Sequence, residues 1–163
     1  MFNAYLKIDG IDGECRAKGY EDQIEILSFS HGVHQPAAMS ASTAGGASTG
    51  RSEHSDFSVV KQLDKASPLL GQKCSDGSHI KEAVFTLVRA GGHPVPFMEY
   101  KLSNIIISSF RPGGSSQGDG LPLEEVSFNY GKIAWTYTLQ KRADGSPGGK
   151  TAGSWDREIL QRA

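Results

Sequence analysis

The stretch Leu123–Leu139 reads LEEVSFNYGKIAWTYTL, and its alternation decides the fold class. Val126, Phe128 and Tyr130 share one face at period two; Ile133, Trp135, Tyr137 and Leu139 continue it one position out of phase. Period two with an apolar face marks a strand rather than a helix. The slip falls on Gly131, so a β-bulge is predicted there. Bulges bend strands, and bent strands let a sheet curl toward a barrel.

Upstream segments repeat the pattern. Phe2, Ala4, Leu6 and Ile8 alternate with Asn3, Tyr5 and Lys7, and the turn pairs Asp9-Gly10 and Asp12-Gly13 end that run. Ile24 to Val33 reads as a second strand with two mixed faces: Ile24, Ile26, Ser28 and Ser30 against Glu25, Leu27 and Phe29. Asp56 to Leu63, Glu82 to Arg89 and Phe97 to Phe110 read as further strands, the last with Met98, Tyr100, Leu102, Ile106 and Phe110 on one face. Between Asp64 and Gly77 the period changes to a helix. Ser67 is the expected N-cap, Pro68 the first helical residue and Gly77 the stop, with Leu69, Leu70, Lys73 and Cys74 on one side.

Two segments have little to bury. Residues 35–53 are Ala, Ser, Thr and Gly-rich and predict a long exposed loop, because burial there cannot offset the entropy of ordering. Residues 143–163 read as a Gly-rich C-terminal tail carrying Trp155. The whole, 1–163, is one mainly-β domain: an antiparallel two-sheet β-barrel with a long extended loop and one short flanking α-helix.

Composition removes several function classes. With 163 residues the chain can bury a core without metals or disulfides, and its 20 glycines suit a turn-rich β fold. A net charge of -1 with no Lys/Arg block gives no reason to expect nucleic acid. Cys15 and Cys74 lack metal or redox spacing and are expected to be free thiols. The start Met1-Phe2-Asn3-Ala4-Tyr5 has no basic then apolar signal pattern, and no run approaches the ~20 apolar residues of a membrane span. Synthesis in the cytoplasm without a Sec signal, and no membrane insertion, are the expectations.

Catalytic patterns are absent. Gly45 to Ser52 nearly spells a phosphate loop, but Arg51 stands where that loop needs Lys, and a strand rather than a helix follows. His31 and His34, three apart on a strand, point to opposite faces unless Gly32 bends the chain; surface or subunit-contact histidines are expected. Serines sit in Gly/Ser loops without a nucleophile elbow, and the adjacent Glu124 and Glu125 face opposite sides of a sheet. No catalytic, cofactor-binding or metal residue is predicted. The chain is read as a non-enzyme.

Taken together, Tyr5–Glu14, Leu27–Val33, Asp64–Pro68, Val88–Gly92, Leu123–Tyr137 with Asn129 and Trp135, and Ala152-Gly153-Ser154-Trp155-Asp156 resemble, in order and spacing, the haemolysin-coregulated protein (Hcp) family of Gram-negative type VI secretion. The last departs from the family's Gly-Trp-Asp ending by an inserted Ser154. The resemblance implies a structural subunit that assembles head-to-tail into hexameric rings. Rings stack into a tube inside a contractile sheath, capped by a spike protein, and are exported through the type VI machine with small effectors in the lumen. It implies that Ala44, Gly45, Gly46, Ala47, Ser48, Thr49, Gly50, Arg51 and Ser52 reach the neighbouring ring, and that Ser28 and Ser30 line the lumen. His31 stands where relatives often carry an aromatic, which implies pH sensitivity of an interface near His31. The alternative is a monomeric β-barrel that binds a ligand such as a carbohydrate, which needs exposed aromatics clustered over one pocket. A hydrolytic effector needs a further catalytic domain, for which this chain leaves no room.

Overall fold

Alternating burial makes β1 (Phe2–Ile8): Ala4, Leu6 and Ile8 point into the core, and Tyr5 on the other face stacks on Tyr20, centroids 4.4 Å apart. The computed structural model describes residues 1–38, 48–92 and 94–163. After β1 come β2 (Ile24–Ile26), β3 (Ser28–Ser30), β4 (Val33–His34), β5 (Ala37–Ala38), β6 (Ser48–Thr49), β7 (Glu53–His54) and β8 (Phe57–Gln62). Helix α1 (Ser67–Asp76) follows, then β9 (Ile80–Arg89), β10 (Pro96–Gly113), β11 (Leu123–Gln140) and β12 (Pro147–Asp156). The main sheet is eight-stranded and antiparallel, ordered β2-β1-β9-β10-β11-β8-β3, with β12 added to β11.

The expected second strand is two strands, and that division curls the sheet into a nearly closed barrel. β2 pairs with β1 (Leu6↔Ile24, Ala4↔Ile26), whereas β3 pairs with β8 (Ser28↔Val60, Ser30↔Ser58). Leu27 sits at the switch, its N–H donating to Val60 O at 2.8 Å. Phase flips there: Ile24 and Ile26 point in, then Phe29 does, leaving Leu27, Ser28 and Ser30 exposed. The two mixed faces in the sequence come from one segment serving both edges of the sheet.

The slip at Gly131 is real, but it is not a bulge. Pairing between β10 and β11 runs Leu102↔Ile133, Ser103↔Lys132, then Ile105↔Tyr130, so Asn104 and Gly131 are passed over together and register is kept. Asn104 takes φ 53°, and a Cβ on Gly131 would lie 3.2 Å from Asn104 Cβ. Both strands bend at one place, and inward phase resumes at Ile105 and Ile107, leaving Ile106 facing outward against expectation. The register shift itself lies further on, between Ile107 and Ser109.

Helix α1 plugs the barrel wall beside β10. Leu70 is buried, Cys74 packs half-buried on the core, and Leu69 is 43% exposed rather than core-facing. Gly71 lets Phe110 approach; an added Cβ would sit 3.1 Å from that ring. Gly77 ends the helix at φ 66°. Ser67 is not the N-cap, because Ala66 occupies that position and makes no side-chain cap. The Ser67 hydroxyl donates instead to Glu124 Oε2 at 2.8 Å. Phe57, Phe85, Phe128 and Tyr130 fill the centre, each fully buried ring contributing about 1.5–3 kcal/mol of transfer free energy.

The Gly-rich tail contains a strand. β12 pairs with the second half of β11, Trp135↔Gly153 and Ile133↔Trp155 among others, and its outer edge is exposed. Residues around the expected loop 35–53 also form ladders: β4 with β7 and β5 with β6 make a two-stranded arm.

Candidate assembly surfaces

The arm is tied to the barrel at its base. Val33 pairs with His54 and His34 with Glu53; further out Ala37 pairs with Thr49 and Ala38 with Ser48. Both the N–H and the hydroxyl of Ser55 donate to Gly32 O at 3.0 Å, and Gly50 N donates to Pro36 O at 3.1 Å. Of the candidate arm residues, Ala44, Gly45, Gly46 and Ala47 lie outside the described residues. Ser48 and Thr49 form β6, and Gly50, Arg51 and Ser52 lead from it to β7. No strand–loop–helix order surrounds Gly45–Ser52, so the phosphate-loop geometry is not built among the described residues.

At the arm's base two histidines meet an aromatic cluster. His31 is half-buried, with ring centroids 5.5 Å from Phe57, 5.7 Å from Tyr130, 6.2 Å from Trp135 and 6.3 Å from Tyr100. Neither ring nitrogen has a hydrogen-bond partner among the described residues. Burial, and then the nearby His54, hold the His31 imidazole below its usual range, while the Ser55 backbone acts weakly the other way. His54 is lowered too, by burial and then by Arg157. Its Nδ1 shares a hydrogen bond of 2.8 Å with Tyr130 Oη. Arg157 lies 5.4 Å over the Tyr130 ring and donates to Tyr130 O at 2.8 Å. Burial drives the Tyr130 phenol strongly upward, so it stays neutral. His31 is therefore half-buried against the aromatic cluster in the single chain, while His34 is exposed. Among the described residues no three His, Cys, Asp or Glu side chains gather around one point.

Beside this cluster, Trp135 and Trp155 line one cleft of about 550 Å³ between the arm's base and strands β11 and β12. The sequence placed these indoles separately, one in the core and one in a tail. The ladder between β11 and β12 brings them together, and no local motif announced it.

Along the middle of β8, Ser28 and Ser30 are exposed on β3 while Phe29 between them stacks on Phe57 at 6.0 Å. A buried polar clamp also escaped the sequence reading. Lys61 Nζ lies 2.6 Å from Glu124 Oε2, 2.9 Å from Asp64 Oδ1 and 3.2 Å from Ser67 Oγ, with the Lys61 side chain fully buried. Lys61 is in phase with Phe57 and Val59, and Glu124 with Val126 and Phe128; that phase was the available signal. Glu125 is exposed on the other face, so the two adjacent carboxylates do not meet.

Residues 5–137 match the family described as type VI secretion system effector, Hcp. The chain belongs to the Hcp family. Protein hcp1 of Pseudomonas aeruginosa is 32% identical over 153 residues, covering 93% of each chain. The Major exported protein of the same organism is 29% identical over 137 residues, 78% of this chain and 76% of that one. A solved type six secretion system protein superposes over the full length of both chains with TM-score 0.94 at 27% identity. Hcp1 from Salmonella typhimurium gives 0.81 at 25% identity, over 99% of each chain. Hcp proteins are structural, secreted components of type VI secretion and not enzymes. No helix among the described residues is long and apolar enough to cross a membrane.

Proposed function

We propose that this Hcp chain is a subunit of the inner tube of a type VI secretion machine. Copies associate head-to-tail into a hexameric ring around a water-filled lumen, rings stack, and the tube leaves the cell with small effectors inside. Sheath and spike proteins are its partners. The observation that carries this reading is the likeness to a type six secretion system protein, with TM-score 0.94 over 100% of both chains. In this assembly the arm around Ser48–Ser52 reaches the adjacent ring, and the exposed Ser28 and Ser30 face the lumen, where small hydroxyls remain hydrated. Heterologous contacts close into rings when their rotation closes, which suits a barrel with dissimilar ends.

Negative-stain microscopy of the purified protein tests it. Wild-type protein is expected to give annular particles and, at high concentration, short tubes. A variant with residues 37–49 replaced by Gly-Gly keeps the annuli and loses the tubes. Featureless monomers at every concentration would defeat the proposal.

One observation favours a second reading, a monomeric barrel that takes a carbohydrate: Trp135 and Trp155 line the same cleft. That reading requires indole fluorescence to respond to added oligosaccharide while the protein stays monomeric.

A further inference from the structure

The two ends of the β8–β11 ladder carry complementary chemistry. At the Gln62 end, Leu27, Leu63 and Leu121 border a shallow groove and are 56%, 42% and 59% exposed; Leu123, paired with Gln62, is 46% exposed beside them. The charged residues lining that groove among the described residues are Glu14, Glu25 and Asp64. Leu63 N–H donates to Pro122 O at 2.9 Å, which fixes the leucines relative to one another. Exposed apolar groups gathered in this way mark an interaction surface rather than ordinary solvent-facing leucines.

Beyond the Phe57 end lies the tryptophan cleft. Its apolar walls are Val33, Trp135, Trp155 and Leu160, and Arg51 is the cation at its rim. Phe57↔Phe128 and Gln62↔Leu123 are the ends of the ladder between β8 and β11, which is about 17 Å long, so Leu63, Leu121 and Leu123 lie at or beyond one end and the cleft beyond the other, with Leu27 beside Val60. Neither can cover the other within one chain.

We infer that the leucine end of one copy seats in the tryptophan cleft of the next, with Leu121 and Leu27 against the indoles and Glu14 or Glu25 facing Arg51. The inference rests on the reading that copies of this chain self-associate, and it assigns the residues of that contact. The contact is heterologous: every copy offers one knob and one socket, so it propagates around a ring without a two-fold axis. Apolar anchors set its strength and the rim charges its orientation. Arg51 and Ser52 stand at the base of the arm, next to β7, so seating them within the ring directs the outer part of the arm, β6 included, toward the adjacent ring.

The test uses full-length protein. Leu121→Lys, at an exposed position, puts a hydrated ammonium where the contact needs an apolar anchor against the socket's walls and is expected to raise the assembly concentration more than about tenfold while leaving the far-UV spectrum unchanged. Arg51→Glu is expected to do the same by facing the carboxylates. In a Cys74→Ser background, chains carrying Ser52→Cys and chains carrying Leu121→Cys are expected to form a disulfide-linked dimer on oxidation when mixed at assembling concentration. Each alone gives none. If wild-type protein assembles but both charge variants assemble equally well and the mixed cysteines do not join, this contact is wrong while self-association stands. If wild-type protein never assembles, the self-association reading itself fails. Fluorescence quenching of the indoles by a soluble oligosaccharide, with assembly unaffected, would assign the cleft to a sugar and overturn the contact.

Discussion

Removing the Glu124 carboxylate tests the account of what holds the helix to the barrel. Lys61 is fully buried, and its ammonium has three oxygen partners, of which Glu124 Oε2 at 2.6 Å is the nearest and carries charge in the interior. Glu124→Leu puts an apolar side chain of similar size in its place but leaves that ammonium with Asp64, which is 13% exposed, and a hydroxyl. Breaking a buried pair on one side costs about 3–5 kcal/mol, because the remaining charge stays desolvated. Ser67 Oγ loses its acceptor at 2.8 Å as well, about 1 kcal/mol more. Replacing both partners, Lys61→Met with Glu124→Leu, removes the stranded charge and is expected to recover most of the loss. Urea denaturation at pH 7 and one fixed protein concentration, followed by circular dichroism, reads this directly, since assembly also contributes to apparent stability. A single variant within about 1 kcal/mol of wild type, or a double variant less stable than the single, would refute the clamp.

Acid is expected to destabilise the fold through the two partly buried histidines. His31 and His54 titrate below their ordinary value of about 6.5, so just under that pH the unfolded chain binds more protons than the folded one. Urea midpoints should therefore rise with pH up to about 6.5 and level above it, with His31→Trp flattening the rise; a midpoint unchanged between pH 5 and 8 contradicts the sign. Gly13 has no room for a side chain: an added Cβ overlaps Gln23 O and lies 2.7 Å from Ile24 Cα. Gly13→Ala is expected to cost at least about 1–3 kcal/mol, checked by the same denaturation; a neutral result would show that the loop yields freely. Gly77→Ala meets open space but must hold φ 66°, a cost of about 1–2 kcal/mol that a thermal melt detects and that Gly77→Asn should lessen.

Much of the barrel was legible because alternation survives where side chains face a core. β1, β8, β9 and β11 appear close to their expected places, and Gly77 stops the helix as its left-handed backbone requires. β12 was not legible because Gly148, Gly149 and Gly153 carry no side chains to alternate; the strand exists because β11 presents a second edge to pair with. The bend at Gly131 was visible, but its partner Asn104 was not, since a single strand does not reveal which residue lies across from it. Lys61 and Glu124 were passed over because charge suggests solvent, although both sit in the inward phase. The meeting of Trp135 with Trp155, and the aromatic setting of His31, depend on contacts between strands far apart in sequence.

Native mass spectrometry of freshly purified protein addresses self-association most directly. A dominant hexamer whose abundance falls in the Leu121→Lys variant is the predicted result. A single-chain ion throughout the assembling concentration range, from solutions in which circular dichroism reports a folded protein, would contradict it.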